Sequence, residues 1–152
     1  MRPGTIGTSA FQRQWIGLSA SGDEVDVRPL DLSSNDYLTS LDVEIGFWKR
    51  GQEATEQYDS EEMARNFIKA FNGQVFAAGQ IIVFDFHGLN LKGTIKGVQL
   101  VDMSDKRGGG GSMGVLMTKT DITFVKAADS AIKIRASSKR YVSPREMFAC
   151  DR

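Results

Sequence analysis

"DSEEMARNFIKAFNG", residues 59–73, has the pattern of one well-delimited amphipathic helix, around which the rest of the sequence can be interpreted. Asp59 is a suitable N-cap, and Glu62 three residues later can complete a capping box. Acidic residues occupy the first turn, and Gly73 can take the left-handed conformation that often ends a helix. The apolar residues on one helical face are Met63, Ala64, Phe67, Ile68 and Phe71. We interpret this face as the side that packs on a core, rather than as a groove for a partner.

Strand-like segments lie on both sides of this helix. Upstream, "LDVEIGF" (residues 41–47) alternates apolar residues with Asp42, Glu44 and Gly46. Downstream, "QIIVFDF", the turn "HGLN" and "LKGTIKGVQLVDM" predict a hairpin, and "GVLMTKT", "ITFVKA" and "AIKIRAS" predict three further strands. Ahead of a linker at "DLSSND" (residues 31–36), residues 4–9 and "EVDVRPL" are also strand-like. This order predicts an α+β fold with one main helix on a mostly antiparallel sheet.

Four consecutive glycines, residues 108–111, raise the question of a phosphate-binding loop. Gly109, Gly111 and Gly114 satisfy the spacing GxGxxG after a predicted strand. A phosphate-binding turn must open a helix whose free amides hold the anion, whereas strand-like sequence follows here. The lysine and hydroxyl of a GK[ST] motif are also absent. We therefore interpret the glycine run as a flexible connection between two strands.

The composition argues against several functional classes. The chain has 152 residues, in which 19 Lys and Arg balance 19 Asp and Glu, and this neutrality argues against a nucleic-acid-binding surface. The single cysteine, Cys150, cannot form an intramolecular disulfide, which favours a cytoplasmic setting. No apolar run reaches membrane-spanning length, and no leader peptide opens the sequence.

No constellation of catalytic or metal-binding residues stands out. His87, the only histidine, falls in a predicted turn without an evident partner for general-base catalysis. Cys150 lacks a companion at metal-ligand spacing, and the carboxylates are scattered. The remaining candidates are basic residues beside aromatic ones, namely Arg13 in "FQRQW" and Lys49 and Arg50 after "GFW". Such groups suit docking to an acidic surface, although simple solvent-exposed charges are the commoner explanation.

Two longer segments resemble the N-terminal domain of the N-ethylmaleimide-sensitive factor (NSF) family, which includes a yeast secretory counterpart. The first, "PGTIGTSAFQRQWIGLS", carries Pro-Gly and then Gln-Arg-x-Trp-x-Gly-x-Ser. The second, "YDSEEMARNFIKAFNGQVFAAGQIIVFDF", carries Tyr-Asp, Met-Ala, Phe-Ile, Phe-Asn and Val-Phe-x-Phe in register. The match covers most of residues 2–136. It implies the C-terminal part of a double-psi β-barrel in residues 1–32, an α-β roll in residues 36–136 and a divergent tail in residues 137–152, in a chain truncated at both ends relative to the family.

In that family the domain is an adaptor of an AAA ATPase rather than the ATPase itself. The resemblance implies that it binds the SNAP attachment protein on SNARE complexes, for SNARE disassembly during vesicle fusion. It also implies a cytoplasmic protein that reaches Golgi and ER transport membranes through its partners. Arg13 and Arg50 match basic contact positions of the family, and Lys49 lies beside the second. ATP and magnesium belong to the family's ATPase domains, which also build its hexamer, so no catalytic residue, metal site or cofactor is expected in this chain.

Two other functions stay open at the level of the sequence. The related N-domain of valosin-containing-protein-type unfoldases shares a barrel-plus-second-lobe plan and binds ubiquitin-linked cofactors. An enzyme that uses the glycine run for nucleotide binding is the third hypothesis. The Gln-Arg-x-Trp segment and the phenylalanine-rich helix favour the vesicle-fusion family.

Overall fold

The computed structural model describes residues 3–32, 36–101 and 113–136 as two helices and eight strands. The helices are α1 (Ala10–Ile16) and α2 (Ser60–Phe71). The strands are β1 (Leu38–Phe47), β2 (Gln57–Asp59), β3 (Val75–Ala77), β4 (Ile81–Phe86), β5 (Leu89–Leu100), β6 (Met113–Val115), β7 (Asp121–Lys126) and β8 (Lys133–Arg135). The tail at residues 137–152, with Cys150, lies outside the described residues.

The main sheet has four strands in the order β4-β5-β1-β7. The two pairs that involve β5 are antiparallel, and β1 pairs with β7 in parallel. Two smaller sheets pair β2 with β8 in parallel and β3 with β6 antiparallel. The predicted α+β class, with one main helix and a mostly antiparallel main sheet, is confirmed.

Strand β1 forms the centre of the core, as its alternating sequence predicts. Leu41, Val43 and Ile45 are fully buried, and Phe47 is nearly so. Successive strand residues point to opposite faces, so the apolar positions share the face that packs on α2 and the smaller sheets. Between them, Asp42 and the side chain of Glu44 lie on the outer face, where Glu44 forms an ion pair with Lys96 at 3.5 Å.

Helix α2 begins and ends where the sequence predicts. The Asp59 carboxylate accepts hydrogen bonds from the backbone N–H groups of Glu61 and Glu62, and Gly73 has a φ of 80° just beyond the end. The second half of the predicted capping box is absent, because the Glu62 side chain bonds to His87 instead. The buried Phe67 ring contacts the rings of Phe71, Phe76, Phe84 and Phe124. This aromatic cluster confirms that the apolar face of α2 packs on the core.

The predicted hairpin between β4 and β5 is confirmed, with a tight two-residue turn. His87 and Gly88 both have positive φ, at 53° and 75°, as a type I′ turn requires. The Gly88 N–H is further bonded to the Asp85 carboxylate at 3.0 Å. The position of His87 is therefore that of a turn residue.

The segment before β1 differs from the prediction. Residues 3–32 contain α1 and no strand, so the strands predicted at residues 4–9 and in "EVDVRPL" are wrong. Val25 and Val27 are 44% and 67% exposed, because no described strand pairs with this segment and alternation alone does not bury it. The division into a partial double-psi barrel and a roll stays a prediction.

The glycine run is followed by a strand and not by a helix, in agreement with its interpretation as a connection. Gly109 and Gly111 lie outside the described residues, between β5 and β6. Gly114 belongs to β6, where it pairs with Phe76 of β3. The third glycine of the GxGxxG spacing is thus a buried strand residue in close contact with Leu100, Leu38 and the backbone of Asp36.

Candidate functional site

The candidate site is built around the turn that follows β1. Lys49 and Arg50 are exposed there, and Gly51 completes the turn with a φ of 73°. The turn faces the β4–β5 hairpin, to which it is joined by a hydrogen bond from the Trp48 N–H to the Asn90 carbonyl at 3.1 Å. Between them lies a cleft of about 480 Å³, here called the Lys49–Arg50 cleft, lined by residues 48–52 and 88–90.

The Lys49–Arg50 cleft is chemically suited to an acidic group. No carboxylate lines it, and within residues 3–32, 36–101 and 113–136 neither cation forms an ion pair. The side-chain amides of Gln52 and Asn90 can add hydrogen bonds, and Trp48 is 40% exposed at the edge. Two cations beside an exposed aromatic ring can steer an acidic partner and then hold it by contact with the ring.

Arg13 lies on α1 and lines a different cleft. Its guanidinium Nη1 donates to the Thr8 carbonyl at 2.6 Å, which fixes the half-buried side chain against its own segment. This second cleft, of about 280 Å³, is lined by residues 6–8 and by residues between 18 and 25. Asp23 is in its wall, where the carboxylate accepts from the Ser19 N–H at 2.7 Å.

A pair of aromatic rings joins α1 to the turn after β1. Phe11 of α1 meets Trp48 edge-on, with ring centroids 4.5 Å apart and an interplanar angle of 90°. Residues of an α-helix are about 100° apart around the axis, so Arg13 points away from the side of α1 that carries Phe11. The structure therefore brings Lys49 and Arg50 together, and holds Arg13 on the far side of an adjacent helix. Phe11 packs within the chain, so it does not serve as the exposed anchor that its position beside Arg13 indicated.

Sequence reasoning missed α1, although its signals are present. Ser9 and Gln12 form a reciprocal capping box, and Gly17 closes the helix with a φ of 74°. The Ser-x-x-Gln spacing followed by a glycine is a recognised helix signature. It was obscured by the shortness of the helix, which has seven residues and no buried side chain. Gln52 and Asn90 of the Lys49–Arg50 cleft carried no signal, because only the fold places the two turns together.

The described residues contain no arrangement typical of catalysis. No group of three His, Cys, Asp or Glu side chains could hold a metal ion there. His87 Nε2 lies 2.9 Å from Glu62 Oε1, but both side chains are about half exposed and the pair joins the hairpin to α2. Burial, aided by Glu56, raises the pKa of Tyr58, whose ring packs between those of Phe47 and Phe86. That perturbation reflects core packing rather than a reacting group.

The pKa of Asp59 is lowered for a structural reason as well. The first cause is its hydrogen bond from Arg135 Nη2, at 2.9 Å, and the second is the pair of backbone N–H groups at the start of α2. The carboxylate thereby connects α2 to β8.

In the described parts of the chain, neither helix has the length and apolarity that a bilayer crossing demands.

Comparison with known proteins places this fold in a family. The family model for cell division protein 48 (CDC48), domain 2, matches residues 57–134, just over half of the chain. The vesicular-fusion protein sec18 of Schizosaccharomyces pombe is 34% identical over 149 residues, and SEC18 of Saccharomyces cerevisiae is 31% identical over 146 residues. These alignments cover 92% and 90% of this chain. A vesicle-fusing ATPase of Caenorhabditis elegans is 30% identical over 86 residues, or 57% of this chain and 10% of the relative.

The chain spans 19% of the length of the two yeast relatives. Their names confirm the resemblance to the vesicle-fusion ATPases that the Gln-Arg-x-Trp segment and the α2 region indicated. The matched range of the family model begins at β2 and ends within β8, and so includes α2 and its aromatic cluster. The chain belongs to the cell division protein 48 (CDC48), domain 2, family.

Proposed function

We propose that this chain is the partner-binding, N-terminal part of a vesicle-fusion ATPase, and that it grips the SNAP attachment protein on SNARE complexes. The observation that carries the proposal is the identity of 34% and 31% with two vesicular-fusion proteins, over nine-tenths of the chain. Other domains of such a protein would bind ATP and magnesium, hydrolyse the ATP and assemble the hexamer. The protein would act in the cytoplasm, at Golgi and ER transport membranes, through its partners.

The proposed contact residues are Arg13, Arg50 and Lys49. Lys49 and Arg50 are exposed on the turn after β1, and the Phe11–Trp48 ring contact keeps α1 beside that turn. An α-helix with its side chains is about 10 Å across, so a partner that contacts both Arg13 and the Lys49–Arg50 cleft has to extend around α1. The adjacent positive charges of Lys49 and Arg50 accelerate association with an acidic partner and make binding dependent on salt.

Charge reversal tests this proposal directly. We expect Arg50→Glu to weaken binding to an immobilised SNAP–SNARE complex by roughly tenfold, and Arg13→Glu combined with Arg50→Glu to weaken it further and flatten its salt dependence. Biolayer interferometry at several salt concentrations measures both effects. Arg65→Glu, an equal charge change on the exposed side of α2, is the matched control. Binding by the double variant as tight as that of the wild type at low salt would refute the contact residues.

A second candidate function follows from the name of the matching family model. Cell division protein 48 is the name attached to the domain that matches residues 57–134, and an unfoldase of that type would bind ubiquitin-linked cofactors. The relatives named above are vesicle-fusion proteins, and this favours the first function. A pull-down that offers the SNAP–SNARE complex and ubiquitin-linked unfoldase cofactors in separate reactions distinguishes the two. Retention of the cofactors alone would replace the first proposal with the second.

A further inference from the structure

Strand β7 is an edge of the main sheet in the part of the chain that the structure describes. Among the described residues it pairs only with β1. Ala127, the residue after β7, donates its N–H to the Ile45 carbonyl at 2.9 Å, and backbone directions alternate along a parallel strand. The N–H and C=O groups of Ile122, Phe124 and Lys126 therefore point away from β1. These groups have no backbone partner within residues 3–32, 36–101 and 113–136, and they can pair with an incoming strand.

A groove accompanies this edge. It has a volume of about 680 Å³ and is here called the β7 groove, with β7 on one side and residues 132–134 and 136 on the other. Gln57 and Ser60, at the start of α2, contribute polar groups. The apolar side chains that line it are Ile122, Phe124, Val125, Ile132 and Ile134. The groove thus combines backbone donors and acceptors with apolar contact surface, which are the two requirements for peptide binding by strand addition.

The charge of the β7 groove is one-sided. Lys126 and Lys133 are exposed in its lining, which contains no Asp or Glu. Within the described ranges, neither lysine takes part in an ion pair. An acidic occupant is therefore favoured by charge complementarity.

From these features we propose that the β7 groove binds an extended, acidic segment of another protein, which adds to the main sheet as a strand beside β7. Alternate residues of the segment would face the groove, so an apolar residue at every second position fits its lining. A second copy of this chain fits less well, because its own Lys126 and Lys133 would bring like charges together. The residues at 137–152 are also unsuitable, since their four basic residues outnumber Glu146 and Asp151.

A synthetic peptide can test both parts of this proposal. The probe is a short capped peptide of alternating valine and glutamate with a fluorescent label, titrated with the full chain and followed by fluorescence anisotropy. We expect saturable binding, and weaker binding when lysine replaces glutamate or when alternate backbone amides are N-methylated. Lys126→Glu with Lys133→Glu should lower the affinity roughly tenfold or more, whereas Lys69→Glu on the exposed side of α2 should not change it.

Amide chemical shifts give a readout specific to strand addition. In ¹⁵N spectra the peptide should shift the amides of Ile122, Phe124 and Lys126 more than those of Thr123 and Val125, which are bonded to β1. Binding that is indifferent to peptide charge and to N-methylation, or a shift pattern without this alternation, would overturn the proposal. So would concentration-dependent dimerisation that excludes the peptide, because the occupant would then be a second copy.

Discussion

Single residues in this chain have roles that their neighbours in space determine. Gly114 is the clearest case, because the sequence offers it as the last glycine of a GxGxxG spacing and the structure gives it a packing role. A Cβ at this position would lie 2.5 Å from Leu100 Cδ2, 2.8 Å from the Asp36 carbonyl oxygen and 2.8 Å from Leu38 Cδ2. The leucine side chains can move, but the backbone carbonyl of Asp36 accepts the Val115 N–H and is held in place.

We therefore expect Gly114→Ala to destabilise the fold by about 1–3 kcal/mol through overpacking. Urea unfolding followed by circular dichroism measures the change, provided that the dependence on urea is unaltered. Met113→Ala is the matched control on the same strand, since this 39% exposed side chain should contribute no more than about 0.5 kcal/mol. An alanine variant as stable as the wild type would mean that β6 has room to shift.

Among the secondary-structure elements, those set by interactions between residues close in sequence could be predicted. Elements that depend on hydrogen bonds from a distant strand could not. The N-cap of α2, the turn at His87 and Gly88 and the alternation of β1 all follow from short-range chemistry and are observed. The alternation at Val25 and Val27 is equally regular, yet that segment forms no strand, because a strand requires hydrogen bonds from a neighbour. The Lys49–Arg50 cleft could not be predicted either, because its two halves, residues 48–52 and 88–90, come together only when the β4–β5 hairpin lies beside the end of β1.

The start of α2 provides a prediction for pH dependence. Asp59 has a pKa below its ordinary value of 3.8, first because of the Arg135 hydrogen bond. At pH values between the folded pKa and the ordinary value of 3.8, the unfolded chain binds more protons than the folded chain. The stabilisation is therefore present above the ordinary pKa and is lost as the pH falls through the folded pKa. Asp59→Asn keeps a capping oxygen but removes the charge, so we expect it to be less stable than wild type at pH 7 and to approach it in acid.

Urea midpoints measured from neutral pH down to about pH 3 test this expectation. Arg135→Gln should remove part of the same pH dependence, because it leaves the cap and deletes the first cause of the shift. Asp121→Asn, a change at an exposed carboxylate, serves as the control. A constant difference between Asp59→Asn and wild type over the whole range would show that the cap and not the charge is responsible.

At the scale of the whole molecule, the question is how residues 3–32 are held to the rest of the chain. Helix α1 has seven residues and no buried side chain, and a helix so short is unstable by itself in water. The Phe11–Trp48 ring contact is the aromatic interaction that joins α1 to the turn after β1. The relative position of Arg13 and the Lys49–Arg50 cleft, on which the proposed function depends, therefore rests on this pair of rings together with the packing of α1 beside β4.

We expect Phe11→Ala to release α1 without unfolding the main sheet. An edge-to-face pair contributes about 0.5–1.5 kcal/mol beyond the area it buries, enough to make a short helix mostly unfolded. Hydrogen exchange should then accelerate at the amides of Arg13 and Leu18, which bond to Ser9 and Arg13 carbonyls, and stay slow in the β4–β5 hairpin. In a Trp15→Phe background, Trp48 is the single tryptophan, and its emission should shift to the red as the ring becomes exposed.

The same variant connects the fold to the proposed function, because it alters no charge. If Arg13 and the Lys49–Arg50 cleft contact one partner together, releasing α1 makes the partner order that helix again on binding, so affinity for the SNAP–SNARE complex should fall several-fold at unchanged net charge. Phe11→Tyr, which keeps the ring, should bind as the wild type does. Faster exchange in α1 with full affinity would show instead that the turn after β1 binds alone and that Arg13 belongs to a separate surface.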